Sequence, residues 1–129
     1  MTLIFERKKT EMSEAKLKEI YPKSELTFIS RGFFQLPVVS VPEIGLAAEG
    51  ASPTEAWKNA YDYVVKYLVL DRFPNAYFSQ NPRIGCIISN EDIIGIGSTE
   101  PYAWEDAYVY IYNAGVNYVE QTDLYNFPY

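Results

Sequence analysis

Histidine is absent from the 129 residues, and cysteine occurs once, as Cys86. Without histidine the chain lacks the commonest general base, the usual zinc ligand and every Ser-His or Cys-His catalytic arrangement. A lone cysteine excludes an intrachain disulfide and favours a reducing compartment. Cys86 lies in an isoleucine-rich run and reads as a small buried hydrophobe, not a nucleophile. Long apolar runs are also missing. Leu3-Ile4-Phe5 is too short for a signal-peptide core, and no stretch approaches the roughly 18 residues of a membrane span. A soluble, cytoplasmic protein is expected.

The fourth absence is local. Residues 84–129 contain no Lys or Arg, but they hold Glu91, Asp92, Glu100, Glu105, Asp106, Glu120 and Asp123, a net of −7 within a chain total of −6. Such a field repels phosphates and anionic membranes and attracts basic surfaces. Direct nucleic-acid binding and membrane binding are therefore not expected. The basic run Arg7-Lys8-Lys9 reads as solvated surface.

Aromatic residues are plentiful, at 16% with 12 Tyr. A chain this long is expected to form one compact domain, with residues 84–129 as an acidic, tyrosine-rich extension of it. The clearest local pattern is at Ser52-Pro53-Thr54-Glu55. Ser52 suits an N-cap, Glu55 completes a capping box, and Pro53 falls at the first helical position. Trp57, Ala60, Tyr61, Val64, Tyr67 and Leu68 then recur at helical spacing as far as Leu70, and the Phe73-Pro74 step ends the run. Before it, a short helix is expected up to Pro22. Strands are expected at 26–30 and 33–41, turning at Arg31-Gly32, and a third at 46–49. Pro37 places the second strand at an edge or a bulge.

The residues Pro42, Gly45, Gly50, Ser52, Glu55, Ala56, Asn59 and Ala60 resemble the strand-to-helix segment of HicB-type antitoxins over about residues 33–62. That resemblance implies a partial double-stranded-RNA-binding-like fold and a small protein that binds and occludes an RNA-cleaving toxin. It agrees with the helix, three strands, helix order. After Leu70 no basic operator-binding segment follows, so autorepression is not implied.

Residues 71–83 read as a loop, and 84–88 with 93–96 as a hairpin tipped by Ser89-Asn90-Glu91-Asp92. Gly95-Ile96-Gly97 lacks the third glycine and following basic residue of a phosphate loop. A short helical turn is expected at Thr99 to Ala107. Tyr108 to Tyr112 and Val116 to Gln121 fit both a helical period and strands joined by Asn113-Ala114-Gly115; β-branched and aromatic density favours strands, with Tyr108, Tyr110 and Tyr112 on one face. The expected class is α+β: helix, three strands, helix, then additional antiparallel strands.

Three functions are weighed. The first is a non-enzymatic inhibitor that offers carboxylates where phosphates would lie and so occludes a basic nucleic-acid-acting protein, such as a nuclease or effector. At class level this is similar to phage counter-defence proteins, including anti-CRISPR and anti-restriction inhibitors, and a phage origin would place it in the host-cell cytoplasm. Its expected surface is Glu91, Asp92, Glu100, Tyr102, Trp104, Glu105, Asp106, Tyr108, Tyr110 and Tyr112. The second is the HicB-like antitoxin. The third is a carboxylate-dependent enzyme built on a pair such as Glu105 with Glu91 or Glu100. No cofactor or metal is expected, because neither Glu91-Asp92 nor Glu105-Asp106 sits in a metal-loop pattern. A homodimer is left open.

Overall fold

The computed structural model describes residues 12–112, with helix α1 at residues 12–20. It is followed by strands β1 (Glu25–Arg31), β2 (Phe34–Val41) and β3 (Leu46–Glu49), then helix α2 (Pro53–Arg72). Strands β4 (Tyr77–Asn81), β5 (Gly85–Asn90) and β6 (Asp92–Gly97) come next. Helix α3 occupies 100–112. The class is α+β, with two antiparallel three-stranded sheets ordered β1-β2-β3 and β4-β5-β6. Contacts divide the chain into two compact units that meet between Val64 and Val65, inside α2.

In the first unit, the β1–β2 turn begins at Gly32, whose φ of +62° is a conformation that glycine adopts without a Cβ penalty. Pro37 lies in the central strand, not at an edge or bulge. It is accommodated because its carbonyl accepts from the Gly50 amide at 3.2 Å, one rung beyond the end of β3. The missing N–H therefore falls where the ladder stops. A 3-10 turn at Pro42–Ile44 closes on Gly45 at φ +66° and leads into β3.

Helix α2 starts as its residues require. The Glu55 amide donates to Ser52 Oγ at 3.2 Å, and Pro53 is the first helical residue. Ala56, Trp57, Ala60, Tyr61 and Val64 are buried in its first half, Val65 and Val69 in its second. Tyr67, expected in the buried stripe, is 44% exposed. The first core holds Leu17, Val39, Val41 and Val64, all fully buried. Lys18 lays its ammonium 5.3 Å from the Trp57 ring centroid, a cation–π contact.

The second unit corrects two expectations. Residues 71–83 are not all loop, since β4 pairs with β5 from Tyr77↔Ser89 to Asn81↔Gly85. Pro74 and Pro82 mark the ends of that strand but do not prevent it. Tyr108 to Tyr112 are helical, not extended. The cause is tertiary: glycines at 95 and 97 lie so close to α3 that a Cβ on Gly95 would stand 2.8 Å from the Ala107 Cβ, and one on Gly97 would strike the backbone at Tyr102 and Ala103. Ala103 and Ala107, both fully buried, supply the small face that permits this approach, and it overrides the β-propensity of the tyrosines. The second strand reading, Val116 to Gln121, lies outside the described residues.

The two units repeat one design. Each runs helix, three-stranded meander, helix, with α2 closing the first and opening the second. Gly50, Ser52, Ala56, Trp57, Asn59 and Ala60 correspond to Gly97, Thr99, Ala103, Trp104, Asp106 and Ala107. Thr99 Oγ1 accepts from the Tyr102 amide at 3.4 Å, as Ser52 does from Glu55. Lys66 stands 5.3 Å from the Trp104 ring, as Lys18 does from Trp57. Gly97→Ala is expected to lower stability by about 2 kcal/mol through overpacking against helix backbone, read as a shift in the urea midpoint at unchanged slope.

Candidate functional site

The residues expected to form an acidic, aromatic surface divide into two sets, one spent on structure and one displayed. Trp104 belongs to the first. It is 4% exposed, its Nε1 donates to Glu100 Oε2 at 3.0 Å, and Lys66 Nζ stands 3.8 Å from the same oxygen. Glu100 thus anchors the start of α3 and has a cation beside it, which partly neutralises its charge.

Asp106 is also structural. Its Oδ2 accepts from the Ile96 amide at 2.9 Å, so α3 satisfies an outward-facing donor on the edge of β6. At the corresponding place in the first unit, Asn59 Nδ2 donates to the Glu49 carbonyl on the edge of β3 at 3.0 Å. Burial pushes the Asp106 carboxyl above its ordinary pKa of 3.8; the Ile96 hydrogen bond opposes that shift and the neighbouring Glu105 adds to it.

The helical conformation of 108–112 removes the expected single face of three tyrosines. Tyr108 and Tyr112, one turn apart, place their rings 5.0 Å apart, while Tyr110 lies about 200° around the helix from Tyr108. Tyr112 donates through its hydroxyl to the Leu68 carbonyl at 2.9 Å and ties the end of α3 to the second half of α2. Burial raises the Tyr112 pKa above 10.0, and the Asp71 charge adds to the shift.

Glu91 and Asp92 form the displayed set with Tyr102, which is 53% exposed; Glu105 and Tyr110 are partly exposed. Glu91 takes the turn between β5 and β6 at φ +69°, the one non-glycine residue with positive φ among those described. Asp106, held at Ile96, stands about 13 Å along β6 from Asp92. The acids are therefore not one cluster. Beside Glu91 and Asp92 the register sets Tyr77, Ser89 and Ile93 on a single rung, with Tyr77 58% and Ile93 51% exposed. Tyr77 and Ile93 were not among the expected surface residues: Tyr77 fell in 71–83, which read as loop, and Ile93 read as part of an apolar hairpin strand. The signal that would have found β4 is the aromatic-Pro step shared by Tyr21-Pro22 before β1 and Phe73-Pro74 before β4.

Cys86 is buried, with its Sγ 3.9 Å from the Ser98 carbonyl, and it lines an open depression with Gln80, Asn81, Pro82, Gly85 and Ser98. Among the described residues, no group of three or more Cys, Asp or Glu side chains is placed to hold a metal ion, and no helix is long and apolar enough to cross a membrane.

Asp106 yields a prediction with a definite sign. A carboxyl whose folded pKa is raised binds its proton more tightly in the folded state, so its contribution to stability is largest at acid pH and declines as pH rises above 3.8. Asp106→Asn keeps an acceptor for Ile96 without the buried charge. Its stability relative to the parent is expected to improve as pH rises above 3.8 and to level off once the folded-state carboxyl of the parent is ionised, as read in urea titrations. Asp106→Ala, which orphans the amide, is expected to lose about 1 kcal/mol. Set against protein-family models, curated proteins and solved structures, the chain matches none, so the likeness of residues 33–62 to HicB-type antitoxins stands on those residues themselves.

Proposed function

We propose that this chain is a non-enzymatic inhibitory binding protein that occludes a basic, nucleic-acid-acting partner such as a nuclease or effector, in the manner of phage counter-defence proteins of the anti-CRISPR or anti-restriction kind. One observation carries the reading: the exposed Glu91-Asp92 turn, in a third of the chain that contains no cation, stands beside the exposed Tyr77 and Ile93. Carboxylates supply long-range attraction and register, and the aromatic and aliphatic side chains supply area that a basic groove can desolvate. Of the ten residues expected on this surface, Glu91, Asp92, Tyr102, Glu105 and Tyr110 are retained. Trp104, Asp106 and Tyr112 serve the fold, Glu100 is partly neutralised, and Tyr108 packs on Tyr112.

A second reading has its own support. The helix, three strands, helix order of the first unit is the one that the likeness to HicB-type antitoxins implies, with Ser52 capping α2 and Asn59 reaching back to β3. On this reading the partner is a small toxin RNase. Both readings work by steric and electrostatic occlusion. A short basic RNase encoded beside the gene would favour the second.

The test is capture of partners from the cells that carry the gene, followed by titration with the purified partner. Glu91→Lys with Asp92→Lys is expected to weaken binding at least tenfold at low salt and to flatten its dependence on ionic strength, mainly through a slower association rate. Unchanged affinity and salt slope would remove the acidic turn from the interface.

A further inference from the structure

Four strand edges flank the two sheets, and three of them are protected. Asn59 covers the edge of β3 and Asp106 that of β6. Strand β4 has only five residues and lies between Pro74 and Pro82. Among the described residues, strand β1 has none of these devices. Its seven residues pair with β2 without a bulge, contain no proline, and present Phe28 at 54% and Ile29 at 47% exposure. A long, unblunted apolar edge is a template for another strand.

Backbone direction identifies what that edge offers. Pro37 turns its carbonyl to Gly50, so Val39 and Val41 also address β3, while Leu36, Val38 and Ser40 address β1. Their rung partners are Ile29, Thr27 and Glu25. The N–H and C=O groups of Leu26, Phe28 and Ser30 therefore point away from the sheet.

The sequence of β1, Glu25-Leu26-Thr27-Phe28-Ile29-Ser30-Arg31, is complementary to itself when reversed about Phe28. We propose that β1 pairs antiparallel with β1 of a second copy of this chain, Phe28 opposite Phe28 and Glu25 opposite Arg31, joining two three-stranded sheets into one of six strands. In that register Leu26 faces Ser30 and all outward backbone groups pair, giving about six hydrogen bonds. A shift of two residues either way loses a pair of bonds and separates the charges. Each Glu25–Arg31 pair falls on a non-hydrogen-bonded rung, where side chains approach most closely. Arg31 is available for it: its present neighbour, Glu49, stands 3.9 Å away and both side chains are more than half exposed. The arrangement is isologous and closes on two copies.

This inference rests on the first unit alone and is independent of the acidic turn. Edge pairing buries less than a standard interface, so association in roughly the micromolar range is expected. Sedimentation equilibrium over a concentration series reads it directly. Glu25→Arg and Arg31→Glu, each alone, set like charges opposite one another and are expected to weaken self-association at least tenfold. An equimolar mixture of the two variants restores opposite charges on both rungs and is expected to recover association as a heterodimer. Phe28→Pro removes an outward N–H and leaves the bonds to β2 in place, and it is expected to be monomeric with an unchanged circular-dichroism spectrum. A parent protein that stays monomeric at every concentration overturns the proposal, as does association that survives Phe28→Pro, or charge variants that do not recover when mixed.

Discussion

The close approach of a helix start to the end of a strand is the constraint on which the rest depends. It occurs at Gly50 against Ala56, and again at Gly95 and Gly97 against Ala103 and Ala107. At each place a Cβ on the glycine would strike the helix, so the sequence must hold glycine at the end of the strand, and it sets buried alanines on the facing helix. That proximity brings Asn59 within reach of the Glu49 carbonyl and Asp106 within reach of the Ile96 amide. A tight packing requirement thus becomes a device for sealing a strand edge. The tryptophan that follows the first alanine is buried by the same geometry and receives a lysine over its ring in both units.

Repetition explains why α2 is long. A single helix-meander-helix unit of this size has little core; fully buried side chains in the first unit include Leu17, Val39, Val41 and Val64, and in the second Val65, Val69 and Ile88. Small cores are marginal on their own. One continuous helix serves both, so one capped start at Ser52 orders a segment that contributes buried side chains to each.

Much of the first unit was legible because its local and tertiary signals agree. Ser52, Pro53 and Glu55 specify a helix start, and burial of Trp57 and Ala60 confirms the periodic stripe. Leu46–Glu49 is a strand at the expected bounds. The second unit was less legible because its signals conflict. Tyr108 to Tyr112 carry strand propensity, yet Ala103 and Ala107 fix their helix from outside the segment. Strand β4 lies between two prolines, which read as loop but serve only to end the strand. Pro37 misleads in the same way, since a proline in a central strand is tolerated where the ladder has already finished. The repeated Ala-Trp-x-x-Ala-Tyr-x-Tyr at 56–63 and 103–110 is the one line of sequence that resolves the conflict, because it transfers the unambiguous first helix onto the ambiguous third.

The same comparison separates acids that hold the fold from acids that face outward. A count of charge treats Glu100, Asp106, Glu91 and Asp92 alike, but hydrogen bonding does not. Glu100 receives Trp104 and Lys66, and Asp106 receives the Ile96 amide, so neither offers a full, freely hydrated carboxylate to a partner. Asp106 is moreover raised in pKa by its burial, which makes its charge costly to retain. Glu91 and Asp92 sit at the turn farthest along β6 from the start of α3, where no packing requirement selects a carboxylate. Stability therefore accounts for Glu100 and for a hydrogen-bond acceptor at 106, and it leaves the pair at 91 and 92 unexplained by the fold. The scaffold requires a carboxylate at neither position, and it displays the pair beside the exposed Tyr77 and Ile93.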